Sequence, residues 1–290
     1  MNRKNFRYLL PLRVRWSEVD LQKIVFNAHY HTYLDTAIQG YWRALALPYE
    51  AVMHRLGGDI FLKKTTVEFN ASARLDERLD VGMRCERVGN SSMLFHGAVF
   101  RGEQALVTGE LLYVYADPVT QTSRPVPAPL REWLAAFEAG EPMLRVATGG
   151  WDALGPDAGA LRREVFVQEQ GIAERDEWDA QDALALHAVA YNRLDQPVAT
   201  ARLLPPGGAA PGVAYIGRVA SLAVLRGGGG GSAVMRALTE AARSRGDHRV
   251  SLSAQRSAEA FYRRLGYRVE GEPFDEVGIE HVHMTLPLVN

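Results

Sequence analysis

Apolar and polar positions in the first half of the chain follow two rhythms. Residues 8–16, "YLLPLRVRW", alternate, which predicts a half-buried strand. A polar turn, "SEVDLQK", follows. Then Tyr30, Tyr33, Leu34, Ala37, Ile38, Tyr41, Trp42 and Leu45 recur at helical spacing until Pro48 stops them. That helix is apolar around much of its circumference, as expected when a sheet wraps it. Strand-like runs follow at 58–70, 78–89, 91–102 and 105–117. The short turns "GNSS" and "RGEQ" make neighbouring strands antiparallel. One long helix with about five antiparallel strands is an α+β plan.

Prolines at 118, 125, 127 and 129 exclude regular structure between the halves, and "LREWLAAFEAG" then reads as a short helix ended by Gly140. The boundary falls there, giving domains 1–140 and 141–290. In the second half, strands are predicted at 143–148, 184–192, 197–205, 215–224, 249–255 and 281–288. Helices are predicted at 158–171, 232–245 and 256–266, and a strand resumes after Gly266. The expected result is a mixed sheet flanked by helices. No internal repeat relates the halves.

Composition narrows the functional classes. The chain has 290 residues, 47% apolar and 23% charged, an ordinary globular mixture. Its 33 basic and 34 acidic residues leave a net charge of −1, which argues against a nucleic-acid partner. Cys85 is the single cysteine, so no internal disulfide is possible. The opening residues lack the apolar core of a signal peptide, and no uncharged run spans a bilayer. A cytoplasmic protein with no membrane partner is expected. The pairs His29/His31 and His281/His283 have no third ligand at a metal-binding spacing, so no metal is expected.

Gly227 to Gly231 form an unbroken glycine run. Alone it reads as a flexible linker. Its flanks, a strand-like run and an amphipathic helix, suggest a phosphate cradle at a helix N-terminus. Arg226, Gly229 and Gly231 fit Arg-x-x-Gly-x-Gly, with Ser232 beside them. Here the second half resembles the GNAT acetyltransferase family, whose signature is a strand, Arg/Gln-x-x-Gly-x-Gly/Ala, then a helix. "SAEAFYRRLGYR", "LRREVFVQEQG", "EWDAQD" and "FDEVGIEHVHM" extend the resemblance over roughly residues 142–290.

The resemblance implies acetyl-CoA as cosubstrate, with its pyrophosphate over the loop. Arg226, Gly227, Gly229, Gly231 and Ser232 would contact it, although Gly227, Gly228 and Gly230 are not required by the pattern. The backbone of Leu222, Ala223 and Val224 would hold the pantetheine like an added strand. An amine acceptor would attack the thioester, and Tyr262 would protonate the leaving thiolate. Glu177, Glu276 and His281 are the candidate bases.

Asp20 lies in a turn before the long helix, whose first N–H groups could polarise a thioester carbonyl. Asp20, Ile24, Val25, Phe26 and Tyr30 match Asp-x-x-Gly-aliphatic-Val-aromatic-x-x-x-Tyr. With "GNSSMLF" and "VYADPVTQTSRPVP", residues 8–137 resemble the hotdog-fold acyl-CoA thioesterases of the 4-hydroxybenzoyl-CoA type. This implies Asp20 as the catalytic carboxylate, His29 as a second polar group, and a homodimer or homotetramer. Lys23 replaces the family glycine, and a negative φ would accommodate it. Glu18 is the nearby carboxylate expected at the surface. Lys63, Lys64, Ser91 and Ser92 are candidates for CoA phosphates.

Two CoA motifs on one chain imply a bifunctional enzyme that hydrolyses an acyl-CoA and transfers an acetyl group. The alternative is a hotdog module that only binds acyl-CoA or dimerises, attached to an active acetyltransferase.

Overall fold

The computed structural model describes residues 1–206 and 211–288. The chain divides into two compact units, Met1–Met143 and Leu144–Asn290.

The first unit runs β1 (Tyr8–Arg13), α1 (Asn27–Ala44), α2 (Tyr49–Leu56), β2 (Asp59–Phe69), β3 (Arg78–Val88), β4 (Ser92–Arg101), β5 (Gln104–Ala116) and α3 (Ala128–Glu138). Its antiparallel sheet has the order β1-β3-β4-β5-β2. The sheet wraps α1, whose Tyr30, Tyr33, Leu34, Ala37, Ile38, Tyr41 and Trp42 are buried at the predicted spacing. Close approach is made possible by Gly97 and Gly109, which face each other across β4 and β5. A Cβ on Gly97 would lie 2.4 Å from Leu34 Cδ2, and one on Gly109 3.1 Å from its Cδ1. Helix α2 was not anticipated. Pro48 ends one helix and serves as the N-cap of the next, since proline fits a helix start.

The second unit runs β6 (Arg145–Gly149), α4 (Trp151–Arg162), α5 (Glu174–Glu177), β7 (Leu186–Tyr191), β8 (Pro197–Leu203), β9 (Val213–Ser221), α6 (Gly230–Ser244), β10 (Arg249–Gln255), α7 (Glu259–Arg264), β11 (Arg268–Glu276) and β12 (Ile279–Pro287). Helix α4 starts earlier than its pattern predicts, with Pro156 inside it, and continues through a π-helical stretch, Arg163–Glu169. The sheet order is β11-β12-β10-β9-β8-β7-β6, with only β9 and β10 parallel. Alternation along β7 sends Ala188 and Ala190 to α6, and Val189 and Tyr191 to α4, so helices cover both faces. No helix among the described residues is long and apolar enough to cross a membrane.

Candidate active sites

In the first unit, residues 18–26 fold into a tight hairpin. Val19 bridges Val25, Asp20 N–H donates to Ile24 O at 2.9 Å, and Lys23 N–H donates to Asp20 O at 2.9 Å. Lys23 has φ +62, the left-handed region, contrary to the negative φ expected of it. The turn needs that conformation, so the lysine is held where a glycine is unstrained. Half-buried Asp20 accepts Gln22 N–H on Oδ1 at 2.8 Å. Its Oδ2 makes no hydrogen bond among the described residues.

Helix α1 starts at Asn27; His29 N–H already bonds back to Phe26 O at 2.9 Å, which leaves the N–H groups of Asn27 and Ala28 at the free helix end. His29 is half-buried, edge-on to Phe26 at 6.3 Å. Glu18 is not at the surface: it is 2% exposed. It accepts Tyr33 OH at 2.7 Å and Arg15 N–H at 2.7 Å, and its own carbonyl accepts Phe26 N–H at 2.9 Å. Burial opposes its ionisation, but the bonds from Arg15 and Tyr33 outweigh it and hold the carboxyl below its ordinary range. Glu18 thus ties the hairpin to α1. Lys63 and Lys64 lie exposed on the edge strand β2, and Ser91 and Ser92 at the β3–β4 turn.

In the second unit, β9 and β10 pair only at Val213–Arg249, Ala214–Val250 and Tyr215–Ser251. Beyond these the strands part. A cavity of about 180 Å³ opens there, lined by residues that include Glu177, Arg218, Ser253, Tyr262, Glu276 and His281. The register of β9 against β8 shifts between Thr200–Ala220 and Arg202–Gly217, which leaves a bulge at Arg218 and Val219. Arg218 takes φ +53 there.

His281 is 8% exposed, and its Nδ1 lies 2.8 Å from Ile279 O. A carbonyl only accepts, so Nδ1 carries the proton. In the neutral imidazole the lone pair would then sit on Nε2. Tyr262 is 6% exposed, and burial raises its phenol well above its ordinary pKa, keeping the proton in place. Glu276 lies exposed at the end of β11.

Glu177, Arg202 and Arg218, which line the cavity, belong to a ring of alternating charge. Arg162 pairs with Glu177 and Asp182, Arg202 with Asp182 and Asp179, and Arg218 with Asp179 and Glu177. The circuit closes with three positive and three negative groups. The Arg162 guanidinium also lies over Trp178 at 4.7 Å and Trp151 at 5.5 Å. Bonds from Arg202 outweigh burial at Asp179, while at Asp182 burial is outweighed by Arg162 and Arg202; both acids sit below their ordinary value. Glu177, considered a base from the sequence, has one oxygen on Arg162 and the other on Arg218. It belongs to the ring. The sequence reading missed the rest of this ring: Arg162 lies in "LRREVF" and Asp179 and Asp182 in "EWDAQD", while Arg202 and Arg218 lie apart on β8 and β9.

The glycine loop is ordered. Gly227 and Gly229 have φ +86 and +91, so Gly227 is required by backbone geometry even though the motif does not demand it. Gly229 caps α6, and Ala233 N–H is the first to bond back, to Gly229 O at 2.9 Å. The N–H groups of Gly230, Gly231 and Ser232 are therefore at the free helix end. Arg226 forks onto Glu169, with two bonds of 2.6 Å. Next to it, Gln255 donates to Gln170 at 2.8 Å.

Leu222, Ala223 and Val224 do not extend the strand. Leu222 N–H is used by Val198 O, its carbonyl by Leu225 N–H, and Ala223–Leu225 coil into a 3-10 turn. The free backbone edge lies upstream, in β9 itself. Among the described residues no group of three or more His, Cys, Asp or Glu is placed to hold a metal.

Comparison with known proteins follows the same division. Residues 155–267 match the acetyltransferase (GNAT) family, and residues 14–134 the thioesterase-like superfamily. The uncharacterised N-acetyltransferase YjcF of Bacillus subtilis is 35% identical over 129 residues, 44% of this chain and 89% of that protein. The acyl-CoA thioester hydrolase YbgC of Escherichia coli O6:H1 is 28% identical over 128 residues, 44% of this chain and 93% of that one. A Thermus thermophilus thioesterase solved with coenzyme A and zinc is 21% identical, covering 48% of this chain and 99% of that one, with a TM-score of 0.41. The chain joins a hotdog-fold unit that matches the thioesterase-like superfamily to a domain that belongs to the acetyltransferase (GNAT) family.

Proposed function

We propose that the chain is a bifunctional CoA-thioester enzyme of the cytoplasm. Residues 1–140 hydrolyse an acyl-CoA, and residues 141–290 transfer an acetyl group from acetyl-CoA to an amine. The observation that carries this reading is the pairing of His281 and Tyr262 on one cavity at the β9–β10 opening. Such a pair supplies a proton acceptor for the amine and a proton donor for the thiolate.

In the transfer reaction, the pyrophosphate of acetyl-CoA rests on the N–H groups of Gly230, Gly231 and Ser232, with Arg226 alongside. The pantetheine lies along the unpaired part of β9. The amine nitrogen bonds to the thioester carbon and gives its proton to His281 Nε2. The carbon–sulfur bond breaks, and Tyr262 protonates the sulfur.

In the hydrolytic reaction, Asp20 activates water or attacks the carbonyl, which the first N–H groups of α1 polarise. His29 stands one turn into that helix and orients the substrate. Assembly through the hotdog domain is supported by exposed apolar side chains near the hairpin and on β2. Trp16 is 80%, Leu21 102%, Phe26 49% and Leu62 49% exposed.

The test is free-thiol release from a panel of acyl-CoAs without an acceptor, with the parent compared to Asp20→Asn and folding checked by circular dichroism. Release that disappears in the variant is the expected result. Release that persists removes Asp20 from catalysis. Saturable acyl-CoA binding without release supports instead a binding or dimerisation module.

A further inference from the structure

The charge ring has a consequence for the acceptor. The cavity's two arginines, Arg202 and Arg218, are each paired with two carboxylates of the ring, and Glu177 with two arginines, although Arg202 Nε has no hydrogen-bond partner. With three arginines against three carboxylates, the ring presents no net charge. Two further carboxylates line the same cavity from separate elements: Asp176 on α5 and Glu276 at the end of β11. Asp176 meets only Arg175, at 3.7 Å and largely in solvent, and Glu276 has no ion pair among the described residues. The cavity's uncommitted charge is therefore negative. His281, more than nine-tenths buried and with Nδ1 committed to Ile279 O, lines the same space.

We propose that the acceptor is a diamine: one amine reacts beside His281 and Tyr262 while a second ammonium is held by Asp176 and Glu276. The inference rests on the acetyltransferase reading above. A monoamine leaves the carboxylates without a partner once the cavity fills. An anionic acceptor faces repulsion with no free cation to receive it. The reacting amine enters as ammonium and loses one proton to solvent. Its nitrogen then bonds to the acetyl carbon, its second proton passes to His281 Nε2, and the thiolate takes the Tyr262 proton. The products are the monoacetylated diamine, free CoA and one released proton.

The experiment follows CoA thiol release from acetyl-CoA with full-length protein and three acceptors: 1,4-diaminobutane, n-butylamine and the amide of Nα-acetyl-lysine. The diamine should show kcat/KM about tenfold above n-butylamine at low salt, with the gap narrowing as salt rises. Asp176→Asn and Glu276→Gln should each raise KM for the diamine severalfold with little change in kcat. Both positions are exposed, so neither change threatens folding. Equal rates for diamine and n-butylamine, or a faster lysine amide, overturn the diamine assignment while leaving the acetyltransferase reading in place. Acetylation of none of the three, with no acetyl-CoA binding by calorimetry, overturns both.

Discussion

The carbonyl oxygen of Ile279 fixes the imidazole of His281, 2.8 Å from Nδ1. The bond selects the tautomer with a basic Nε2 and ties it to the backbone of β12 rather than to a mobile side chain. His281→Gln keeps the side chain's approximate size and removes the proposed base. It should lower kcat for amine acetylation by about 10²–10⁴ with acetyl-CoA affinity nearly unchanged. Stopped-flow rates beside calorimetric binding check this. A kcat within twofold of the parent would remove His281 from the reaction.

Lys23 holds a left-handed turn that glycine adopts without strain. Lys23→Gly should stabilise the first unit by about 1 kcal/mol. Urea unfolding, followed by hydrogen exchange in β3 and β4, reports on this unit alone. An unchanged or lower midpoint would mean that the lysine stem makes compensating contacts.

Arg162 is 1% exposed and joins two carboxylates to two indole rings. Arg162→Met leaves Glu177 and Asp182 each short of a cation in a buried setting. The cost should be about 3–5 kcal/mol, and Arg162→Lys should recover only part of it, because an ammonium cannot fork to both acids. Denaturation read by fluorescence of Trp151 and Trp178 gives the number. A loss under 1 kcal/mol would show the ring to be energetically idle.

The same ring sets an acid limit. Asp179 and Asp182 lie below their ordinary pKa because arginines hold them ionised. Their stabilising contribution is complete above the unfolded value near pH 4 and is lost as the pH falls through their lower folded values. The second unit should therefore lose stability progressively below about pH 4. Hydrogen exchange in β7 and β8 across that range measures it, and exchange that does not accelerate in acid would contradict the assignment.

Gly229 combines φ +91 with the cap of α6. Gly229→Ala should raise the KM for acetyl-CoA about tenfold through a distorted loop, leaving thioester hydrolysis by the first unit untouched. Equal KM values would separate the loop from cofactor binding.

Local periodicity made the core legible. The buried face of α1 follows directly from its apolar spacing, and every strand of the first sheet sits where alternation and short turns placed it. Short motifs made the glycine loop and the Asp20 hairpin legible. What escaped depends on partners remote in sequence. Arg162 and Arg163 are adjacent and look alike as letters, yet one is buried and the other exposed. Only Glu177 and Asp182, 15 and 20 residues on, make burial of the first tolerable. Glu18 escaped because its burial is offset by Tyr33, 15 residues on, together with Arg15 three residues before it, and no periodic pattern links these to it. The starting point of α4 was missed because Pro156 reads as a breaker, although the helix carries it near its first turns.

The three rungs shared by β9 and β10 make the second sheet, thermodynamically, two sheets stitched at one end. Acetyl-CoA lying along β9 would add rungs that the chain itself does not supply. The cosubstrate would then act as a folding ligand, raising the free energy of opening at the seam by mass action. Amide protection in β9 and β10 should climb with its concentration while protection in β7 stays level, so occupancy becomes readable from the backbone without any turnover.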